Sequence, residues 1–357
     1  MIVQSIKLAR FRSYDEANVE FDEKTNFLIG SNAAGKTNLA EAVYYLSGAR
    51  SWRTSEDEAL IARGAESAYI EARIREGELR RTIAIEIGKG QKRVRVNGKP
   101  LGKLSELTEL VNVLVFSPGD VTLFQGSPAE RRAFLDASLS KEDRSYLKLL
   151  SKAHALLRER NLALKQETPD RDLVQTYARQ LAMVYEPIVK KREAYCERLN
   201  AVLPGILSKI TGQEVSCSIS YRPFLKPGSR FGERAMAIAE ERLRDDLLRK
   251  TTGWGIHRED FSFRYDGKDV ALYGSQGENR ICALALKIAP YYLIDNPARK
   301  PVCVLDDVAS ELDDKKVANL MRLVQEDLGQ VIITATSIQF DGVSVIEVSD
   351  HKATRRN

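Results

Sequence analysis

Gly30-Ser31-Asn32-Ala33-Ala34-Gly35-Lys36-Thr37 decides how the rest of this 357-residue chain is read. It has the spacing of a loop that cradles phosphates. Its glycines let the backbone curl until successive N–H groups point inward, Lys36 can reach the β and γ phosphates of a nucleotide, and Thr37 offers a hydroxyl to Mg²⁺. The flanks supply the setting this chemistry needs. The short apolar run TNFLIG reads as a strand ending at Gly30, and Lys36 to about Leu46 reads as a helix whose positive end faces the same anion.

A phosphate loop needs a carboxylate at the end of a neighbouring strand to hold Mg²⁺, and Val302-Cys303-Val304-Leu305-Asp306 supplies one. Asp307 follows directly and is placed to polarise an attacking water. A third element, Gly274-Ser275-Gln276-Gly277-Glu278, opens a helix after a hairpin and presents N–H groups and a hydroxyl to an anion.

Around these motifs the chain alternates between β and α character. IVQSIKLA and NVEF have strand spacing, and YIEARIR, RTIAIEIG and RVRV form an antiparallel set closed by the turn pair Asn97-Gly98. VNVLVF is a buried strand ended by Ser117-Pro118-Gly119-Asp120. Ser127-Pro128-Ala129-Glu130 then starts a helical region, and Ser140-Lys141-Glu142-Asp143 starts a helix to about Gln166. Beyond the break at Glu167-Thr168-Pro169-Asp170, a second long helix carries the apolar stripe Leu173, Tyr177, Leu181, Val184, Ile188, Tyr195, Leu199 and Val202, with a kink expected at Pro187. Past Pro204 the reading returns to strands (VSCSISY, and FSFRY with a hairpin at Asp266-Gly267). A helix from Ser275 to about Ala289, strand PVCVLDD, helix 313 to 327, strand QVIITA and a last strand VSVIEV complete an α/β pattern.

Composition narrows the class. With 43% apolar residues the chain can build a real core. Its four cysteines stand apart and it has three histidines, which excludes a disulfide framework and a Cys/His zinc site. The N-terminus lacks the apolar core of a leader and no window is apolar enough to span a membrane, so a reducing cytoplasmic location is expected. The net charge is only +5, yet from Arg73 to Lys103 ten Lys or Arg face Glu76, Glu78 and Glu86, a local +7. This arm, with Arg93, Arg95 and Lys99, is a candidate phosphate-backbone surface for duplex DNA. Arg131, Arg132 and Lys190-Lys191-Arg192 are further basic candidates.

In their order along the chain, the phosphate loop, the Ser275 loop and the Asp306-Asp307 strand end resemble the ABC ATPases. Ser310-Glu311-Leu312-Asp313 resembles the D-loop of that superfamily. Within it, Phe11-Arg12-Ser13-Tyr14, the extended loop to Glu41-Ala42, Phe116-Ser117-Pro118-x-Asp120 and Gly126-Ser127-Pro128-x-x-Arg131-Arg132-x-Phe134-Leu135-Asp136 are similar to the RecF family of bacterial recombination mediators. Gly255-Ile256-His257-Arg258-Glu259-Asp260 and Leu305-Asp306-Asp307-Val308 are similar to it as well, so the likeness covers nearly the whole chain. The resemblance implies an ABC-type head with an antiparallel β subdomain and a helical second lobe, grouped as 1–125, 126–295 and 296–357. It implies ATP and Mg²⁺ as ligands, with Gly30, Ser31, Asn32, Ala33, Ala34, Gly35, Lys36 and Thr37 on phosphate, Thr37 and Asp306 on the metal, and Asp307 and Lys36 catalytic. Ser275 and Gly277 would take the γ-phosphate across an ATP-dependent homodimer. It further implies a slow, DNA-stimulated ATPase that binds duplex DNA at single-strand gaps, with RecR, RecO and RecA as partners, in recombinational repair, replication recovery and the SOS response.

Departures from the wider pattern are Asp307 in place of Glu, no histidine after QVIITA (Thr334, Thr336 and Ser337 stand there), and Glu278 where Gln is usual. His257 reads either as a turn histidine or as a nucleotide or dimer contact. The competing classes are a chromosome-organising SMC ATPase, for which the two long helices are too little coiled coil, a transporter ATPase subunit, and a DNA scaffold with a vestigial nucleotide site.

Overall fold

A computed structural model describes residues 1–308, 312–337 and 343–356. The strands are β1 (Ile2–Phe11), β2 (Tyr14–Glu20), β3 (Thr25–Ile29), β4 (Ser67–Glu76), β5 (Leu79–Gly88), β6 (Gln91–Val96), β7 (Lys99–Pro100), β8 (Val113–Phe116), β9 (Cys217–Arg222), β10 (Asp260–Tyr265), β11 (Lys268–Asp269), β12 (Val302–Asp306), β13 (Val331–Ala335), β14 (Ser344–Ser349) and β15 (Lys352–Arg356). The helices are α1 (Lys36–Tyr45), α2 (Leu107–Leu110), α3 (Pro128–Glu142), α4 (Arg144–Lys165), α5 (Arg171–Thr211), α6 (Phe231–Arg249), α7 (Val270–Tyr273), α8 (Gln276–Tyr292) and α9 (Asp314–Asp327). The expected D-loop residues Ser310 and Glu311 lie outside the described residues.

Contacts divide the chain into two compact units. The first comprises Met1–Val121, Gly205–Glu214 and Arg280–Asn357, and the second Thr122–Pro204 and Val215–Asn279. In the first, β15-β14-β3-β13-β12-β8 form one sheet, parallel except for the edge strand β15. Its central strands are nearly unbroken apolar runs because both faces are covered. The second sheet, β2-β1-β4-β5-β6-β7, is antiparallel, and its strands alternate one buried with one exposed position. Ile70, Ile74, Ile83, Ile85 and Val94 from that sheet join Leu39, Val43, Val304 and Ile332 in one core. Each such fully buried branched side chain contributes about 1.5–3 kcal/mol.

The helical unit differs from the sequence expectation in four places. Asp143 caps α4 through the N–H groups of Ser145 and Tyr146, while Ser140 lies inside α3. The stripe of α5 holds at Leu181, Val184, Ile188, Tyr195 and Leu199, but Leu173 is exposed and Val174 is buried in its place. The helix, with Pro187 inside it, continues past Pro204 to Thr211, where a return to strands is expected from the sequence. Helix α6, 19 residues long, was not expected; its apolar positions Phe231, Ala235 and Ala239 recur every four residues, a period its many charges disguise. In the other unit, a hairpin strand, β15, follows VSVIEV.

Candidate functional site

The loop between β3 and α1 is held by close packing on both sides. Gly35 has φ +114°, and a Cβ there would stand 2.9 Å from the Tyr14 hydroxyl oxygen, which donates a hydrogen bond to Gly35 O (3.0 Å). A Cβ at Gly30 would meet Val348 O at 2.0 Å. These two positions take only glycine. Helix α1 starts at Gly35 with no side-chain cap and no acid in its first turn, so its end N–H groups are left to a ligand. Lys36 Nζ donates to the carbonyls of Gly30 (2.7 Å) and Ser31 (2.8 Å), and burial holds its pKa below the ordinary lysine value, against the pull of Asp307 and Asp306.

Asp306, 4% exposed, closes the other side. Its Oδ1 accepts from the hydroxyls of Thr37 (2.9 Å) and Thr334 (2.8 Å), and no basic side chain pairs with it among the described residues. Burial pushes its pKa up, partly offset by those two hydroxyls. A buried carboxylate beside a threonine hydroxyl, without a cation, fits a hard divalent ion that takes its remaining oxygens from phosphate and water. Asn32, Ala33, Gly35, Lys36, Thr37, Asn38, Arg53, Asp307, Thr334 and Thr336 line a cleft of ≈ 400 Å³ here. Of the expected loop, Asn32, Ala33, Gly35, Lys36 and Thr37 line the cleft with Asp307; Gly30, Ser31 and Ala34 do not line it, and Asp306 is joined to it through Thr37.

Arg53 is a cleft residue that the sequence reading missed. Glu41, fully buried inside α1, explains its position: the carboxylate takes Arg12 at 2.7 and 2.9 Å, Ser51 at 2.5 Å and Arg53 at 3.1 Å, while Arg53 also donates to Asn38 (2.8 Å). The signal available was a glutamate in the otherwise apolar stretch Leu39-Ala40-Glu41-Ala42-Val43.

In the helical unit, Ser275 heads α8 in a capping box. Its hydroxyl accepts from Glu278 N (3.2 Å), and Glu278 Oε2 accepts from Ser275 N (2.7 Å). Those bonds lower the Glu278 pKa. Asn279 Nδ2 donates to the carbonyls of Val270, Gly274 and Ser275 and fixes the loop from behind. Gly277 is open on its Cβ side.

The basic candidates separate. Arg93 and Arg95 share the outer face of the antiparallel sheet, whereas Lys99 lies opposite Val96 and therefore on the other face. Within the arm Arg73, Arg75, Arg81, Lys92 and Arg93 each have an acidic partner, at 2.5 to 3.9 Å; Arg80, Lys89, Arg95, Lys99 and Lys103 are exposed with no acidic partner among the described residues. Tyr69, 37% exposed, shares the outer face through its pairing with Ala9 and Glu86. Of the other basic candidates Lys190 is exposed, pairing with Glu186 on its own helix (2.8 Å), and the rest are structural. Arg131 holds Asp260 with two bonds (2.7 and 2.8 Å), Arg132 donates to Glu259 O (2.6 Å), and Lys191 pairs with Asp143 (2.5 Å). Arg192 is 1% exposed and bonds Asp136 (2.8 Å), Glu259 (2.5 Å), the Tyr146 hydroxyl (3.0 Å) and Ile256 O (3.0 Å). Burial works against its charge, but Tyr146, Asp136 and Glu259 hold its pKa well above the ordinary arginine value. His257 Nε2–H donates to Thr252 O (3.0 Å) within its own unit, as a turn histidine would, and burial pushes its pKa down to about 4.

A phosphate loop on a mostly parallel sheet, a strand-end acid pair and a capped serine loop heading a helix define an ATPase head of the ABC type. A family model described as the RecF/RecN/SMC N terminal domain matches residues 2–348, and the chain belongs to the RecF family. The DNA replication and repair protein RecF of Clostridium tetani is 36% identical over 348 residues, covering 95% of this chain and 94% of its own. That of Agathobacter rectalis is 36% identical over 343 residues, 95% and 93%. A solved structure of the recombination mediator protein RecF with ATP, in the RecFOR pathway, superposes with TM-score 0.90 at 30% identity over 99% of each chain. The Smc head domain of Pyrococcus furiosus shares the fold, with TM-score 0.60 at 17% identity over 99% of this chain and 95% of its own. No helix among the described residues is long and apolar enough to cross a membrane.

Proposed function

We propose that the protein is an ATP-switched DNA-binding protein of recombinational repair. The observation that carries this reading is the cleft in which Lys36, Thr37 and Asp307 surround an uncapped helix end, with Asp306 bonded to Thr37 behind it. Loop N–H groups and Lys36 bind the phosphates of ATP, with Lys36 leaving the Gly30 and Ser31 carbonyls to do so. Thr37 and Asp306 hold Mg²⁺, which neutralises charge on the phosphate oxygens when bound. Asp307 orients and polarises the attacking water; aspartate, one methylene shorter than glutamate, makes for slow turnover.

Ser275 and Gly277 take the γ-phosphate bound to a partner copy, so that ATP assembles a homodimer and hydrolysis ends it. DNA, held by the dimer as duplex beside a single-strand gap, stimulates turnover, and Arg93 and Arg95 contribute phosphate contacts, with Lys99 on a different surface. The family likeness supports RecR as the direct partner, with RecO and RecA downstream, in repair, replication recovery and SOS induction in the cytoplasm. The segment between Lys36 and Gly274 has no room for the coiled coil of an SMC protein.

Two variants test the switch against a vestigial site. Asp307→Asn is expected to bind ATP and form a long-lived dimer on DNA; Ser275→Arg is expected to bind ATP as a monomer that leaves DNA quickly. Light scattering and DNA dissociation rates in ATP read both. If neither variant differs from the parent, the switch is wrong.

A further inference from the structure

The hydroxyl of Thr334 stands between the two acids. Its Oγ1 donates to Asp306 Oδ1 (2.8 Å) and accepts the backbone N–H of Asp307 (2.9 Å). The parallel register of β12 and β13 sets Asp306 directly opposite Thr334, so the contact is fixed by strand pairing. Asp307 has φ 51°, a left-handed conformation that costs a residue with a Cβ about 1 kcal/mol or more, and its N–H is turned onto Thr334 Oγ1.

A hydroxyl has one proton. Given to Asp306, it leaves only lone pairs for Asp307, so the same side chain aims the metal-binding carboxylate and holds its neighbour's strained backbone. Strand pairing alone does not call for this group: Thr334 is 1% exposed in the run Val331-Ile332-Ile333-Thr334-Ala335, where valine would serve the sheet equally well.

We infer that Thr334 is a positioning residue that couples the metal-binding aspartate to the water-polarising one, setting both divalent-ion affinity and turnover. This rests on the reading of the cleft as an ATP-hydrolysing site. It assigns a role to a position at which the sequence offered only a missing histidine.

The test compares Thr334→Val, which keeps shape and β-branching, with Thr334→Ser, which keeps the hydroxyl. Mn²⁺ is titrated by electron paramagnetic resonance into protein saturated with a slowly hydrolysed ATP analogue, and hydrolysis is measured in single turnover. Val is expected to bind ATP as the parent does, to bind Mn²⁺ about tenfold more weakly and to hydrolyse about tenfold more slowly, with Ser restoring both. Parental Mn²⁺ affinity in the Val variant overturns the inference, as does a Ser variant as impaired as Val. If the parent itself hydrolyses no ATP, the hydrolysis reading fails on its own, and the Mn²⁺ titration still decides the role of Thr334.

Discussion

The phosphate cleft and the core of the helical unit both bury carboxylates, and they treat them in opposite ways. Asp136 and Glu259 share Arg192, Asp246 has Arg160 at 2.8 Å, and the hydroxyls of Tyr146 and Tyr221 donate to the same oxygens of Asp136 and Glu259 that the arginine binds. Asp306 has two threonine hydroxyls and, among the described residues, no cation. A buried charge answered within the chain is architecture, fixed once folding is complete. One left unanswered is a place for something not yet bound, and the protein carries its cost until then.

The sharpest way to break this contrast is Arg192→Met. It leaves Asp136 and Glu259 without their cation, and a loss of about 3–5 kcal/mol in urea unfolding is expected. A loss below 1 kcal/mol would mean these acids are not held by the arginine at all. Next in size is a titration. His257 binds protons less readily folded than unfolded, its pKa lying near 4 against 6.5, so the stability it contributes is complete above pH 6.5 and is lost as pH falls through 6.5 toward 4. The parent should lose about 2 kcal/mol more than His257→Asn between pH 7.5 and pH 5, read from paired denaturant curves.

The smallest effect has the opposite sign. Asp306→Asn removes a buried charge while keeping an acceptor for both threonines, and should raise the unfolding free energy of the nucleotide-free protein by about 1 kcal/mol. Because burial raises the Asp306 pKa above 3.8, the parent's handicap appears as pH climbs past that value and vanishes in acid. Adding ATP with Mg²⁺ should stabilise the parent and leave the variant nearly unmoved in thermal melts.

Most of the cleft proposed for the nucleotide was legible because its residues sit in short, spaced runs: a glycine that admits no Cβ, a lysine at a helix start, an acid at the end of an apolar strand. Thr334 and Glu41 were not, since their roles depend on strand register and helix packing across long stretches of chain. The RecF-like block ending in Asp136 and the one from Gly255 to Asp260 were visible as patterns, but only folding shows that Arg131, Arg132 and Arg192 tie them to each other. Counting charge misled for the same reason. Arg192 looked like surface and is core, and Lys99 looked like a neighbour of Arg95 and lies on the opposite face. Helix α6 was hidden because its acidic and basic residues outnumber the small apolar ones it buries.

Strand β3 carries the phosphate loop at its end, yet its two neighbours in the sheet are β13 and β14. During synthesis, then, residues 25–29 emerge early and stay without a pairing partner until residues 331–335 have been made. Thr37 must likewise wait for Asp306 across 269 positions of sequence. A nascent or truncated chain lacking those late strands cannot assemble the cleft, so on the proposed reading ATP competence doubles as a check that translation reached them.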